Sequence, residues 1–278
     1  MTETSSLEII PLGGLGEFGM NMMLYRQGSD CLLVDAGMMF PGSEHLGVDV
    51  VIPDLGFLDS CGTIHAVVLT HGHEDHVGAL PFVLARHQVP VYATPFTRGV
   101  AARRLREHRL GGEDRIDLLP EGRDRIRLGP FHVGVVEVAH SIPQAVMLVL
   151  ETSVGTVVHT ADFKLDTDPP SGPGTDLDRL AELGRDGVRA LLSDSTNADR
   201  PGVTPGERTV GPGLDARIGA AAGRVLVTTF SSNIQRIQQL IDCAERHDRR
   251  VALIGTSIRA QCEVAETLGL LRVPPGIR

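Results

Sequence analysis

The chain has 278 residues, 42% hydrophobic and 22% charged, a balance typical of a globular protein with a buried core. We expect no membrane span, because no run approaches the roughly 20 apolar residues that one requires, and no secretory signal at the polar N-terminus. The formal net charge of −9 weighs against a protein that binds nucleic acid over a broad basic surface. The cysteines are widely spaced, which predicts buried thiols in a reducing cytoplasm rather than disulfides or a zinc ribbon.

The first 200 residues predict mostly strands, with helices between some of them. The predicted strands are 7–12, 22–26, 31–35, 62–70, 89–94, several within 125–162, and 188–194. Helices are predicted from about Val77 and from Thr97 to about Leu110. This pattern indicates a strand-rich layer with helices on its faces.

The pattern changes near residue 200. A segment rich in proline and glycine, 197–208, precedes predicted strands at 224–230 and 249–255 that alternate with predicted helices at 233–247 and 256–270. Such β-α-β-α alternation is typical of a parallel, doubly wound unit. We therefore predict two domains, 1–200 and 201–278.

Glycines at 14, 16 and 19 form a GxGxxG pattern directly after a predicted strand, and Asp35 follows at a plausible distance. This pattern binds dinucleotides when a helix begins at the third glycine and holds the pyrophosphate. Here the next residues predict strand, turn and strand. We interpret the glycines as turn residues at the end of a sheet.

Residues 71–76, His-Gly-His-Glu-Asp-His, follow a predicted buried strand. In an extended segment His71 and His73 point the same way and can reach one zinc ion, whereas Asp75 and His76 follow a turn and can address a second. Gly72 is expected to let the backbone pass near the metal. The alternative, a polar loop with incidental histidines, is disfavoured because four donors at this spacing are far more specific than a glycine pattern.

Further metal ligands are expected at the ends of strands, where a sheet presents side chains to its rim. His140 and Asp162 each close a predicted strand. His65 and His159 are candidates for contacts behind the ligands, although ordinary structural positions are the preferred interpretation of both.

The HxHxDH pattern with a later histidine and a later aspartate resembles the metallo-β-lactamase superfamily. The segments GGLGEFGMNMMLY, THGHEDHVGALPFVL, HSIP, HTADFKLD and LLSDSTNADRPG are similar to the ribonuclease J family of the β-CASP group, and the resemblance covers essentially the whole chain. It implies an α/β protein with the αββα metallo-β-lactamase fold and the start of an inserted α/β β-CASP domain. The chain is expected to be truncated relative to the family, with the strands that close the first domain absent.

The resemblance also implies roles for individual residues. A first zinc would be held by His71, His73 and His140, and a second by Asp75, His76 and a bridging Asp162, with Mn²⁺ or Mg²⁺ as alternative metals. Asp35 would orient the metal-binding loop, and Asp194 matches an acidic residue of the β-CASP motif A. Substrate phosphate would contact Ser231, Ser232 and Asn233, with helix capping an equally weighted explanation for Ser231 and Asn233.

The implied function is a zinc-dependent ribonuclease of rRNA maturation and mRNA decay. It would act as a 5′-to-3′ exonuclease with endonuclease activity, through attack of a metal-activated hydroxide on the phosphodiester. RNA is the expected partner, and the full-length family member is expected to be a homo-oligomer. Two later family histidines have no counterpart here, so we expect the second zinc to bind weakly. Ala161, Gln235 and Thr256 stand where the family predicts Gly, His and Arg.

Two other functions are compatible with these residues. One is a small-molecule hydrolase of the same superfamily, of the thioesterase or lactonase type. The other is a non-catalytic, truncated RNA-binding protein that uses the arginine-rich helix near residue 100. A solvated helix face is the preferred interpretation of that run of charge.

Overall fold

The computed structural model describes residues 6–277, which form two β-sheets with helices packed on their outer faces. The first sheet contains, in spatial order, β1 (Glu8–Gly13), β2 (Met22–Gln27), β3 (Asp30–Val34), β4 (Thr63–Val68), β5 (Val91–Ala93) and β6 (Ile116–Leu118). The second contains β7 (Ile126–Leu128), β8 (Phe131–Glu137), β9 (Val146–Thr152), β10 (Gly155–His159) and β11 (Ala190–Leu192). Its spatial order is β11-β10-β9-β8-β7.

Seven α-helices accompany the sheets within the described residues. They are α1 (Glu74–Val77), α2 (Leu80–Arg86), α3 (Pro95–Glu107), α4 (Leu177–Asp186), α5 (Gly211–Ala220), α6 (Ile234–Arg246) and α7 (Thr256–Thr267). Short 3₁₀ helices cover Leu55–Asp59, Glu113–Arg115 and Glu207–Val210. No helix of the described chain is both long enough and apolar enough to cross a membrane.

Alternation along the strands builds two separate cores, because successive side chains of a strand point to opposite faces of the sheet. Tyr25 and Val34 of the first sheet belong to the core between the sheets, with Leu148 of the second. Leu24 and Leu33, one residue away from them, face the other way and pack in the core that includes α2 and α3. This layering confirms the predicted αββα architecture.

The directions of the strands bring the carboxyl ends of several strands to one edge of the two sheets. β3, β4, β5 and β6 run parallel to one another. β8 and β10 are both antiparallel to β9, and β11 is parallel to β10, so these three also share a direction. A hydrogen bond from the Val146 amide to the Thr70 carbonyl (3.2 Å) joins the sheets at this edge. The residues that follow β3, β4, β8 and β10 therefore meet there.

The two strands predicted at 224–230 and 249–255 do not form, and that prediction is wrong. Among residues 6–277 no strand pairs with either segment. Their large apolar side chains are mostly exposed, Leu226 by 84%, Phe230 by 84% and Ile254 by 86%. A strand requires a neighbour that satisfies its backbone hydrogen bonds and covers its side chains. The helices predicted after each of these segments do form, as α6 and α7.

The segment after residue 200 packs on the preceding part of the chain at two places, α3 and the loop after β10. Gly99 of α3 lets α7 approach closely, since a Cβ there would lie 2.6 Å from the Val264 Cγ1. The buried Glu207 carboxylate accepts a hydrogen bond from Arg236 of α6 at 2.5 Å and lies 4.0 Å from the Lys164 ammonium group. Lys164 follows β10, so this ion-pair group links the loop after β10 to α6.

Ala161 has backbone strain that glycine would relieve. Its φ is 48°, in the left-handed region that costs an L-residue roughly 1–2 kcal/mol. This is the position at which the family resemblance predicts glycine.

We expect Ala161→Gly to raise the free energy of unfolding by about 0.5 kcal/mol, because the relieved strain exceeds the extra entropy of glycine in the unfolded chain. Urea denaturation monitored by circular dichroism measures the change. Ala145→Gly is the control: Ala145 is also buried and lacks a positive φ, so that variant should be less stable than the wild type. Equal destabilisation by both substitutions would contradict the argument.

Candidate metal centre

The loop after β4 and the helix α1 together carry four of the predicted ligands, His71 and His73 in the loop and Asp75 and His76 in α1. His71 and His76 are buried, and His73 is the N-cap residue of α1. The His71 Nε2 lies 3.1 Å from the His73 Nδ1, so the two imidazoles converge on one point as the spacing predicted. The loop is held by backbone hydrogen bonds from the segment after β3, including Ala36 N–H to the His76 carbonyl at 2.8 Å.

The first group of donors joins this loop to the ends of β8 and β10. His140 Nε2 lies 3.1 Å from His73 Nδ1, and Asp162 Oδ2 lies 3.7 Å from His140 Nε2 and 3.9 Å from His71 Nε2. The four side chains offer donor atoms that all lie within 4.8 Å of one another.

The second group consists of Asp75, His76 and, again, Asp162. His76 Nε2 lies 3.4 Å from Asp162 Oδ1 and 3.7 Å from Asp75 Oδ2. The two oxygens of Asp162 thus face different groups, which is the shared position that the family resemblance predicted for this carboxylate.

The distances between the donor atoms fit bound divalent metal ions. Donors bound tetrahedrally to zinc at roughly 2.0–2.1 Å lie about 3.3 Å from one another. The nitrogen–nitrogen distances of 3.1 Å and the carboxylate–imidazole distances of 3.4–3.9 Å cluster around that value. The residues present therefore suit two metal sites that share one carboxylate.

The imidazoles of the first group are kept in the form that binds metals. Burial, reinforced by the neighbouring imidazoles, holds the pKa of His71 well below its usual value. Burial likewise lowers the pKa of His140 to about 3, and His73 adds to the effect. A neutral imidazole offers a nitrogen lone pair, so protons compete little for these two donors near neutral pH.

The second group favours positive charge. Burial opposes ionisation of His76, but the carboxylates of Asp35 and Asp162 outweigh it and hold the pKa of His76 well above its usual value. Burial also opposes ionisation of Asp162, yet the hydrogen bond and charge of His76, with help from His140 and His73, lower the pKa of Asp162 to about 2. The centre between these carboxylates is therefore a favourable place for a cation.

Asp35 contacts the segment of candidate ligands from behind. Its carboxylate is 1% exposed and accepts hydrogen bonds from the Thr70 amide at 2.8 Å and the Thr70 hydroxyl at 2.9 Å. The other side of the same carboxylate lies 2.7 Å from His76 Nδ1, which directs Nε2 of that ring toward Asp162. A carboxylate behind a ligating histidine fixes both the tautomer and the orientation of the ring.

The loops that carry His140 and Asp162 are fastened to each other. The Lys164 amide donates to the Ala139 carbonyl at 2.8 Å, and the Ala139 amide donates to the Thr175 hydroxyl at 3.0 Å. The positions of these two ligands, 22 residues apart in the chain, are therefore set together.

A cavity of about 640 Å³ opens on the second group. The glycine-rich segment 13–19 lines one side and residues 192–197 with Asp199 line another. The segment 13–19 contains no helix, which agrees with its interpretation as turns, but its place at the cavity was not predicted. Asp194 lies on the wall of this cavity. Leu15 is 67% and Phe18 81% exposed.

The residues predicted to contact substrate phosphate, Ser231, Ser232 and Asn233, do not line this cavity. Asn233 caps α6, its side-chain oxygen accepting from the Arg236 amide at 2.9 Å, and the Ser231 hydroxyl lies 2.9 Å from that of Ser257. Helix capping therefore accounts for Asn233.

Gly72 lies where the loop packs closely on its neighbours. A Cβ at this position would lie 3.3 Å from the Ile142 Cδ1 and 3.4 Å from the Val100 side chain. The loop therefore approaches α3 and the segment after His140 closely, and the expectation that Gly72 lets the backbone pass near a metal stays a prediction.

One side chain of the centre was missed by the sequence analysis. The Asn21 amide nitrogen lies 3.2 Å from Asp75 Oδ2 and 3.1 Å from His76 Nε2. Its only signal in the sequence is its position directly after the glycine-rich segment, and an amide is not among the common zinc donors.

Two family models match the chain. One, described as "Metallo-beta-lactamase superfamily", covers residues 15–197, and the other, described as "Ribonuclease J, beta-CASP domain", covers residues 222–278. The chain belongs to the metallo-β-lactamase superfamily. His140 and Asp162 follow β8 and β10, at the strand ends where the sequence pattern placed them.

Similar proteins include three named ribonuclease J. That of Sinorhizobium meliloti is 45% identical over 276 residues (98% of this chain, 49% of the relative). That of Helicobacter pylori is 40% identical over 275 residues (99% and 40%), and that of Mycobacterium tuberculosis 42% over 274 (97% and 48%). The predicted resemblance to ribonuclease J is thereby confirmed. The chain spans about half the length of the relatives it matches, or less.

Among solved structures, a protein of unknown function from Enterococcus faecalis V583 has a TM-score of 0.68 to this chain. It is 18% identical, and the match covers 96% of this chain and 69% of that one. This likeness concerns the fold alone.

We expect Asp35→Asn to weaken divalent-metal binding by about 10- to 100-fold, because the amide keeps the shape of the carboxylate but loses the charge that orients His76. Competition with a chromophoric zinc chelator measures the affinity. Asp59→Asn, which removes an exposed carboxylate paired with Arg86, is the control and should bind zinc like the wild type. Unchanged affinity in Asp35→Asn would show that the contact does not position the ligand.

Proposed function

We propose that this chain carries the catalytic metal centre of a ribonuclease that hydrolyses RNA phosphodiester bonds with two zinc ions. The observation that carries the proposal is the pair of donor groups sharing Asp162, in a chain 40–45% identical to proteins named ribonuclease J. Divalent ions held by such a pair acidify water and stabilise negative charge on a phosphate in the transition state.

The residues of the chain support that chemistry in distinct ways. His71, His73 and His140 are held neutral by burial and serve as nitrogen donors. Asp35 holds the proton of His76 Nδ1, so the opposite nitrogen faces the second group. Asp162 stays ionised, and its carboxylate belongs to both groups of donors.

The negative charge of the carboxylates that line the cavity agrees with a metal-dependent mechanism. Asp75, Asp162 and Asp194 line the cavity, and without a cation their carboxylates would repel a phosphodiester. Bound divalent ions reverse the local charge. The net charge of −9 is therefore compatible with an RNA substrate, because the attraction comes from the metal centre rather than from a basic surface.

The rim of the cavity suits a nucleic acid better than a small lactone or thioester. Leu15 and Phe18 project from the glycine-rich segment beside the second donor group, and both side chains are exposed. An exposed aromatic ring gives an RNA base a surface on which to stack.

The finer parts of the proposal rest on the similarity to ribonuclease J. They are 5′-to-3′ exonuclease and endonuclease activity in rRNA maturation and mRNA decay, phosphate contacts from Ser231, Ser232 and Asn233, and a homo-oligomeric full-length protein. We also propose domains at 1–200 and 201–278, a division supported by the family matches to 15–197 and 222–278. The four cysteines are buried and form no disulfide, which supports a reducing cytoplasm as its compartment.

The test is hydrolysis of a 5′-monophosphorylated, single-stranded RNA labelled at either end. We expect activity that EDTA abolishes and Zn²⁺ restores, with the 5′ label released as mononucleotide. Asp162→Asn should lower kcat/KM by at least about 100-fold, because it weakens both metal sites. Asp117→Asn, which changes an exposed carboxylate of β6, should leave the rate unchanged.

Two results would contradict the proposal. RNA hydrolysis that persists in Asp162→Asn or in EDTA would exclude the metal centre as its source. Metal-dependent cleavage of a lactone or thioester, with none of RNA, would favour a small-molecule hydrolase.

A further inference from the structure

Glu74 is a carboxylate inside the segment of candidate ligands that no donor group uses. Asp75, the other acidic residue of 71–76, belongs to the second group, whereas Glu74 belongs to neither. Glu74 is the first residue of α1 and stands between His73 and Asp75 in the chain. Its Oε2 atom is buried. A buried carboxylate oxygen is costly unless an opposite charge lies close to it.

The opposite charge comes from α3. Arg104 Nε lies 3.2 Å from Glu74 Oε2, and both atoms are buried. Their contact is an ion pair rather than an aligned hydrogen bond. Two further contacts hold the same guanidinium group: Nη2 lies 3.4 Å from the Met38 sulfur, and Nη1 donates to Glu107 Oε2 at 3.1 Å.

Arg104 differs from its neighbours in the arginine-rich helix. Arg98 pairs with Glu113 at 3.1 Å and Arg103 with Glu107 at 3.1 Å, and both contacts are exposed. Of the ion pairs that arginines of α3 form within residues 6–277, only that of Arg104 reaches α1. The interpretation of this run of charge as a solvated face therefore does not extend to Arg104.

The helix α1 depends on contacts from outside itself. It has four residues, too few for a helix to be stable by its own hydrogen bonds. The carbonyls of its first three residues accept from the amides of Met38, Asn21 and Ala36 at 3.1, 3.0 and 2.8 Å, respectively. These bonds fix the backbone of α1 on the side of the segment after β3.

Two ion pairs hold side chains of α1. His76 Nδ1 lies 2.7 Å from the buried Asp35 carboxylate, and Glu74 pairs with Arg104. Asp75 lies between these two fixed residues in the first turn of the helix. The rotation of α1 about its axis, which sets where Asp75 and His76 point, is therefore held from both sheet and helix.

We infer that the ion pair between Glu74 and Arg104 positions the second donor group by fixing the first turn of α1. Glu74 and Arg104 are positioning residues, which act through Asp75 and His76 rather than by touching a metal ion. The inference rests on the proposed function only in taking the centre to bind two divalent ions.

The physical consequence of breaking the pair differs between the two donor groups. Without Arg104, the buried oxygen of Glu74 has no opposite charge and is drawn toward water, which turns α1. Asp75 and His76 then move with the helix. His71 and His140 lie outside α1, so the first group is affected less.

The test is titration with Co²⁺, whose visible absorption reports the geometry of its ligands, and it measures metal binding independently of activity. We expect Glu74→Gln and Arg104→Met each to weaken the second binding step by about 10-fold and to shift its absorption band, with the first step unchanged. The double variant should lose no more than the weaker single variant, because both substitutions remove one interaction. Arg104→Lys keeps the positive charge and should bind the second ion within about threefold of the wild type.

Glu107→Gln is the matched control. It removes the other carboxylate that pairs with Arg104, and that contact lies within α3 and is exposed. This variant should bind both ions like the wild type. Circular dichroism and the unfolding midpoint show whether each variant keeps the fold.

Four results would overturn the inference: an unchanged second step in both single variants, equal weakening of the two steps, additive losses in the double variant, or uptake of one ion only by the wild type. RNA hydrolysis judges the proposed function separately. If the variants behave as expected but the wild type cleaves no RNA, the proposed ribonuclease is rejected and the role of the ion pair stands.

Discussion

A buried carboxylate at the end of β3 connects the fold to the candidate metal centre. Asp35 lies where the parallel strands β3 and β4 end side by side, and it accepts hydrogen bonds from the backbone and hydroxyl of Thr70. Its remaining contact is His76 Nδ1. Because removing a charge from water is costly unless it is paired and hydrogen-bonded, these contacts are mutually dependent. The loop that bears four predicted ligands is consequently fixed to the sheet rather than free to move.

The electrostatics of the centre follow from this arrangement. Burial keeps the first group of imidazoles neutral, whereas Asp35 and Asp162 draw positive charge toward His76. Asp162 faces both groups, so its single side chain couples them. A site of this kind, with neutral nitrogen donors on one side and ionised carboxylates on the other, is suited to binding a cation.

The segments around the centre divide into those that position ligands and those that shape access. Backbone contacts from 36–38 and from Asn21 hold α1 in place, and the Lys164–Ala139 contact holds the loops of the two distant ligands. The glycine-rich segment and residues 192–197 border the cavity without supplying any of the predicted metal donors. After residue 200 the helices pack against α3 and the loop after β10, while the segments 224–230 and 249–255 remain mostly exposed.

The sequence by itself determined the cluster of candidate ligands at 71–76, because donors within six residues of one another are placed by local geometry. His71 and His73 converge because alternate side chains of an extended backbone point to the same side. It also indicated His140 and Asp162, since both close strongly apolar strands. The strand pattern predicted a strand-rich layer with helices on its faces, and the αββα fold followed from the family resemblance. Tertiary structure alone decided that Asp162 faces both groups, that Asn21 lies against Asp75 and His76, and that residues 231–233 lie away from the cavity. It also left 224–230 and 249–255 unpaired, although their residues favour strands. The physical reason is common to all four: each depends on which distant segment packs alongside, and neither residue type nor spacing encodes that neighbour.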